Sequence, residues 1–398
     1  MKIAFRANLL SLVFVAFHFL SLSEGSCLVH YQPKLSVNFD KYPNDPFMAF
    51  RSNPKFFWDF AKKNETNPKY SDLFKLFGIG IGDFHVLNVA DIQLKNGSRQ
   101  IGLVDIDDIG IKIPFALDLD RGISQKNFFP KVITNSESFA TMDTTSKGFK
   151  AYLKGLLGES FSSEFINSIL AKTAHDFQSL QEKLIAKSVK DNKLIIEKDI
   201  FPLSQAPESI QKMYASSKAH FETTLQSYNP TLEILDIAYR IKADGGSKGV
   251  PRFIYLIKNA DSKLEIIEFK KFEDSSAIFL GQQGTPEERF EAAKKFRPET
   301  SDQLGLFSLV KIDSKSYFIA RSKLPSFIHF DISKDMGSKE VDNLNEYYLY
   351  LCSLKGKFDR SNLPTEDVEW IEANSENILK SLKAFVRDFS DALEKANK

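Results

Sequence analysis

Cysteine is nearly absent from this chain. Only Cys27 and Cys352 occur among 398 residues, so no disulfide framework is implied and stability must come from an apolar core. Net charge is scarce too. Lys and Arg number 53 against 52 Asp and Glu, a balance of +1 that supplies no bulk field for a nucleic acid. Tryptophan falls to 2 while phenylalanine rises to 36, which puts the aromatic packing on phenylalanine and says nothing about function. At 42% hydrophobic and 26% charged, the composition is that of a globular chain with ample core. The apolar run over residues 9–22 is too short for a comfortable membrane span.

That short run fits export instead. Lys2 and Arg6 form a basic lead, the run follows, and Ser21, Ser23 and Gly25 offer small-residue cleavage positions. Residues 1–26 therefore read as a signal peptide and 27–44 as an extended leader. The expected location is secreted or periplasmic, with no membrane span after cleavage. An uncleaved anchor is the other reading. Cys27 just after the small residues also suits a lipid anchor, although Glu24 fits a lipobox poorly. Asn64-Glu65-Thr66 and Asn96-Gly97-Ser98 are glycosylation sequons only in a host that glycosylates. Asn53-Pro54 starts a helix expected to turn Phe56, Phe57 and Phe60 inward, with Arg51 just before it in reach of a phosphate or a carboxylate.

The chemistry concentrates between residues 80 and 121. Asp83-Phe84-His85-Val86-Leu87-Asn88 comes first, then a turn at Asn96-Gly97, then a strand through Ile101 to Val104, then Asp105-Ile106-Asp107-Asp108. Carboxylates at the end of a buried strand are costly unless a cation or hydrogen-bond donors meet them. In kinase-like phosphotransferases a loop Asp accepts the substrate hydroxyl proton and an Asn five residues on holds Mg2+. A second Asp after the next hairpin bridges metal and phosphates. Asp83, Asn88 and Asp105 keep that interval. A tight Asp/Asn turn with a satisfied His85 is the structural alternative.

A second informative stretch follows two helical segments, one opening near Ser160 and one over residues 208–228. Gly245-Gly246-Ser247-Lys248-Gly249 lies between strand-like runs, and the strand 264–270 ends on Lys270. Glycines at Gly246 and Gly249, with Ser247, let backbone N–H groups approach a phosphate, and Lys270 would bind its oxygens. A glycine hairpin with no ligand has the same appearance. Thr285-Pro286-Glu287-Glu288 is a capping box opening a helix that carries Glu291, the expected partner of Lys270.

Together these residues resemble an uncharacterised, mostly bacterial kinase-like family, domain of unknown function 2252, distantly similar to aminoglycoside and choline kinases. The run Gly82-Asp83-Phe84-His85-Val86-Leu87-Asn88 looks like its first motif, and Asp105-Ile106-Asp107-Asp108 like its second. Pro114-Phe115-Ala116-Leu117-Asp118-Leu119-Asp120-Arg121 looks like its third. Phe50-Arg51-Ser52, the run from Gly246 to Phe253, and Phe269-Lys270-Lys271-Phe272 match further segments. The likeness runs from about residue 45 to the end. Asp107 stands where Asn is usual, Gly110 replaces an acid, Asp120 a basic residue, Ser52 a Gly and Lys271 a Glu.

The resemblance implies an α+β, protein-kinase-like fold of two lobes. The catalytic loop precedes the glycine loop, which is the order of a circular permutation. A helical lobe is expected over 45–230 with 335–398, and a sheet lobe over 235–325. Asp83 is then the general base, with His85, Asp118 and Arg121 around it. Asn88 and Asp105 hold Mg2+ with Asp107 or Asp108. Gly246, Ser247, Gly249, Lys270 and Glu291 bind ATP. The expected function is phosphotransfer from Mg-ATP to an unidentified small-molecule or protein acceptor. Export argues for a second reading, an inactive nucleotide-binding or interaction protein, because ATP is scarce outside the cytoplasm. A dinuclear phosphoesterase is a third, since Asp83-Phe84-His85 mimics its first metal motif, but no further His and Asn ligand run is present.

Overall fold

The computed structural model describes residues 39–398 apart from 94–97, 131–132, 134–142, 198, 243–247, 260, 297–304, 331 and 333–335. The signal segment, most of the leader, the Asn96-Gly97 turn, and Gly246 and Ser247 lie outside the described residues. The architecture is mixed α+β.

Helices α1 (Pro46–Ser52) and α2 (Pro54–Lys63) each start on a proline, whose missing N–H is no loss at that position. Asp45 caps α1 by accepting from the Met48 N–H at 2.9 Å. Two small ladders follow: β1 (Phe77–Gly80) pairs antiparallel with β4 (Gly110–Pro114), and between them β2 (Val89–Gln93) pairs antiparallel with β3 (Arg99–Leu103). Then come α3 (Phe115–Ser124), α4 (Thr144–Leu156) and α5 (Glu164–Leu170). The segment opening at Ser160 is not one helix. α5 stops at Leu170, and Thr173 opens α6 (Ala174–Ser188) with a reciprocal capping box to Asp176.

The chain next runs through a hairpin of β5 (Val189–Lys190) and β6 (Lys193–Leu194), then β7 (Ile200–Pro202), α7 (Glu208–Tyr228) and β8 (Glu233–Ile241). β9 (Pro251–Lys258), β10 (Leu264–Lys271), α8 (Pro286–Phe296), β11 (Phe307–Lys311) and β12 (Tyr317–Ser322) complete a six-stranded antiparallel sheet in the order β11-β12-β10-β9-β8-β7. Helices α9 (Ser338–Asn362), α10 (Thr365–Ala373) and α11 (Ser375–Asn397) close the chain. Phe385 and Phe389, one turn apart on α11, meet Phe57 and Phe60 of α2 edge-on at centroid distances between 4.9 and 5.7 Å. Among the described residues, no helix is long and apolar enough to cross a membrane.

Strand residues alternate between faces, so each strand of the sheet serves two surfaces. On one face Phe253, Tyr255, Ile257, Ile267, Phe269 and Phe318 bury against Ile210, Phe221 and Leu225 of α7. On the other, Ala238, Ile254, Leu256 and Ile266 are covered by Leu194 of the small hairpin with Ile185 and Val189. Residues 174–228, expected in the helical lobe, therefore belong with the sheet. The helical period reveals a buried stripe but not which surface covers it. Past the cover of α6, the second face turns from apolar to charged, and there it meets the acidic stretch.

Candidate functional site

The loop after β1 is held from below by α3. Asp118 accepts the N–H groups of Ile81 and Gly82, both at 2.8 Å. Gly82 has φ +78°, and a Cβ there would lie 2.0 Å from the Asp108 carbonyl oxygen, so only glycine lets the loop and the acidic turn meet. One α-helical turn on from Asp118, Arg121 donates to Asp83 Oδ1 through Nε at 3.1 Å and Nη2 at 2.8 Å, and to the Phe50 carbonyl at 3.0 Å. Its guanidinium sits 3.9 Å above the Phe50 ring.

His85 Nδ1 accepts from the Leu87 N–H at 3.2 Å, which leaves the ring hydrogen on Nε2, 3.4 Å from Asp83 Oδ2. Burial alone would raise the Asp83 carboxyl, but His85 and Arg121 outweigh it and hold the group below the usual carboxylate range. Burial, only partly offset by Asp83, lowers His85. Asn88 Nδ2 donates to the Asp83 carbonyl at 2.8 Å, which leaves Oδ1 as the amide's acceptor atom. The Asn88 backbone oxygen accepts from Val104 at 2.9 Å, so the β2–β3 register sets Asn88 beside Asp105.

The turn over residues 105–109 faces the charged end of the sheet. Lys270, 1% exposed at the end of β10, lies 3.2 Å from Asp105 Oδ1 and pairs with Asp107 Oδ2. Burial pushes the Lys270 amine down to about 8 despite Asp105. Asp105 stays 31% exposed toward the cleft. Its burial would raise the carboxyl, but Lys270, Arg321, Lys242 and Arg252 hold it well below the usual range. Asp108 Oδ1 accepts from the Ser276 N–H at 2.7 Å, and its backbone oxygen accepts the Ser275 hydroxyl. Burial and the charge of Asp83 push the Asp108 carboxyl up to about 6. Asp107 Oδ1 is buried without a hydrogen-bond partner.

The fold thus brings Asp83, His85, Asn88, Asp105, Asp107, Asp108, Asp118, Arg121 and Lys270 together. Gly249 closes its loop with φ +74° and an N–H donated to the Lys242 carbonyl at 3.1 Å. Glu291 is not part of the site. The Thr285 capping box forms, with reciprocal bonds of 2.8 and 3.2 Å to Glu288, but the helix it starts turns Glu291 to solvent, where it pairs with Lys294 at 2.6 Å. Residues two apart on a helix do not share a face. Arg289 faces inward and donates to the carbonyls of Ile109 at 2.6 Å, Glu273 at 2.7 Å and Asp107, clamping the acidic turn.

Sequence reasoning passed over Arg289, and also Glu268, Arg240, Lys242, Arg252, Arg321 and Lys323. Glu268 and Lys270 share one face of β10. Arg321 donates to Glu268 at 2.7 and 3.0 Å and to the Val104 carbonyl at 2.9 Å. Charged residues at every second position of otherwise apolar strands were the available signal. A cavity of about 350 Å³ opens here, lined by Asn88 and Asp105 from the acidic side, Glu268 and Arg321 from the sheet, and Arg51, Lys242 and Lys323 around them.

Among the described residues, no group of three or more His, Cys, Asp or Glu is arranged to hold a metal ion. Two carboxylates, Asp105 and Asp107, and the Asn88 amide are the oxygen donors at hand. The buried, unpartnered Asp107 Oδ1 suits a hard cation. Mg2+ takes one or two carboxylates and fills the rest of its octahedron with waters and phosphate oxygens, so this small set fits it. Comparison with protein-family models, with curated proteins and with solved structures finds no match to this chain.

Proposed function

We infer that the cleft between the charged sheet face and the acidic turn binds a nucleoside triphosphate with Mg2+, and that the chain is a kinase-like phosphotransferase in circularly permuted order. The observation that carries this reading is the contact of Lys270 with Asp105, 165 residues earlier in the sequence, and with Asp107. The order strand β8, glycine loop, β9, β10 with its terminal Lys, helix α8, then β11 and β12 supports the kinase-like assignment. In this reading Asp83, kept ionised by Arg121 and His85, takes the acceptor hydroxyl proton. The new O–P bond forms as the terminal P–O bond of the nucleotide breaks and the diphosphate leaves. Lys270 holds phosphate oxygens. Asn88 and Asp105, with Asp107, would hold Mg2+, which neutralises charge on the phosphates.

One observation favours a second reading, a nucleotide binder without turnover. Asp83 is 6% exposed, its Oδ1 already accepts both Arg121 bonds, and its Oδ2 faces His85 Nε2 at 3.4 Å, which leaves little of the carboxylate open to an acceptor. Export of the chain, with a mature terminus between Glu24 and Cys27, belongs to the same reading. N-terminal sequencing tests it, and an intact Met1 in the cytosolic fraction overturns it.

Calorimetric titration of Mg-ATP with a parallel ATP-consumption assay separates the readings. Asp105→Asn and Lys270→Ala should each weaken Mg-ATP binding by about tenfold or more. Asp83→Asn should keep nucleotide affinity and cut turnover by roughly 10²- to 10⁴-fold. A binder loses affinity in the first two variants with no turnover in the wild type. Wild-type affinity in both Asp105→Asn and Lys270→Ala would refute the nucleotide cleft.

A further inference from the structure

The cations of the cleft fall into two groups. Arg240 pairs with Asp199 at 2.9 Å, Arg321 with Glu268 at 2.7 Å, Arg252 lies 3.5 Å from Glu268, and Lys270 has Asp105 and Asp107. Those partners use up the nearby carboxylates. Arg51, Lys242 and Lys323 also line the 350 Å³ cavity, and among the described residues none of the three has a carboxylate within ion-pair distance. They come from three separate elements: the helix α1, the chain just past β8 and the chain just past β12. Asp105 acts on Lys242, and Glu268 and Glu197 act on Lys323, only from beyond ion-pair distance, and burial pushes both amines down, so gathering these cations around one cavity is unfavourable in the empty molecule. The arrangement is therefore one that a ligand of opposite charge completes.

We propose that this cavity is the phosphate subsite of a phosphorylated small-molecule acceptor, a hydroxyl-bearing phosphomonoester whose phosphate is held by Arg51, Lys242 and Lys323. Its size lies within the range of small-molecule sites. Leu87, Phe177, Leu324 and Pro325 give the carbon body of such a ligand an apolar wall. The cavity shares Asn88, Asp105, Glu268 and Arg321 with the cleft, but Lys270 does not line it, so the phosphate subsite lies beside the nucleotide's lysine and not on it. A second cavity of about 450 Å³ shares Arg51, Leu87 and Ala90 as lining residues and is otherwise walled by Phe47, Val86 and Phe330. The acceptor role rests on the phosphotransferase reading; the anion site does not.

The test is calorimetric titration of inorganic phosphate without metal, repeated in the presence of saturating Mg-ATP. Phosphate should bind the wild type, and Arg51→Gln or Lys242→Gln should weaken it by about tenfold, with Lys323→Gln, on another segment, as an independent third variant. Lys270→Ala should leave phosphate affinity within about twofold. Phosphate and Mg-ATP should bind together without displacement. Melting temperatures in phosphate-free buffer should stay level or rise in the three glutamine variants, because each removes an unpaired cation. Phosphate affinity unchanged in these variants, or phosphate displaced by Mg-ATP, overturns the subsite. Phosphate binding that depends on Arg51 and Lys242 in a protein that ignores Mg-ATP keeps the subsite and sinks the nucleotide reading alone.

Discussion

The two faces of the six-stranded sheet are made by the same strands and do opposite things. Phe253, Tyr255, Ile267 and Phe269 look toward α7 and are fully buried. Their neighbours one residue away, Arg252, Glu268 and Lys270, look toward the acidic turn; Arg252 and Lys270 are buried as charges and Glu268 is half-buried. The first face gains from every apolar contact that leaves water. The second is costly to desolvate and is held by pairing: Glu268 with Arg321 and Arg252, Lys270 with Asp105 and Asp107. A sheet built only for stability has no use for the second arrangement, so a one-residue period separates what holds the molecule up from what gives it a cleft.

The largest expected effect falls on the apolar face. Phe221 of α7 is fully buried, with ring centroids 4.2 Å from Phe269 and 5.0 Å from Phe318. Phe221→Ala should cost about 3–5 kcal/mol in denaturant unfolding, from lost burial and the cavity left behind. Mg-ATP affinity of the folded fraction should not change. A loss below about 1 kcal/mol would mean that α7 is not the cover of the sheet.

Next comes Arg289, which belongs to neither face but ties the acidic turn to α8. Arg289→Ala strands three carbonyl oxygens and should cost about 3 kcal/mol. It should also weaken Mg-ATP binding, because Asp107 and Ile109 lose their anchor. An unaltered nucleotide affinity would show that the turn keeps its place without the clamp.

The sequence made the loop and turn legible because their geometry is local. Asp83 and Asn88 sit in one short loop, and the β2–β3 register carries Asn88 to Asp105, so spacing was enough. Lys270 was legible as the end of a strand. The cationic group as a group was not: Arg51 was singled out by itself, but Lys242 and Lys323 are single charges in two other distant segments, and each reads as a solvated side chain until the fold gathers the three. Nor was the placement of α6 and α7, because an amphipathic stripe does not name its partner.

A smaller effect, in pH, sharpens the contrast between paired and unpaired cations. Burial first, then Arg252, Arg51 and Arg240, push the Lys242 amine down to about 8, with only Asp105 opposing them. A lysine depressed in the native state binds fewer protons there than in the unfolded chain between its two pKa values. Its destabilising contribution is therefore full below about 8 and fades as pH rises toward 10.5, so stability climbs across that window. Urea unfolding of wild type and Lys242→Gln between pH 7 and 10.5 should show the variant more stable at the lower end and the difference shrinking upward. Sulfate, a dianion throughout, should bind the wild type less well as pH passes 8. A variant less stable than wild type at pH 7 would mean that Lys242 is paired after all.

The smallest effect is the most pointed, because it sets two residues of one helix against each other. The proposed kinase-like reading expects a glutamate from the following helix beside Lys270, and Glu291 is the residue at that place in the sequence. In the fold, Lys270 has Asp105 and Asp107, while Glu291 is 67% exposed and pairs with Lys294. An exposed pair three residues apart contributes about 0.2–0.5 kcal/mol, and alanine is the better helix former, so Glu291→Ala should change stability by less than about 0.5 kcal/mol. Mg-ATP affinity should stay within about twofold of wild type, since a surface charge that far from the phosphates is screened. A tenfold loss of affinity with unchanged stability would carry a specific meaning: α8 turns on binding and brings Glu291 to Lys270, exchanging Arg289's hold on the turn for an ion pair. Hydrogen exchange at Ile109 and Asp107 would then rise on adding Mg-ATP instead of falling, which distinguishes a moving helix from a fixed clamp.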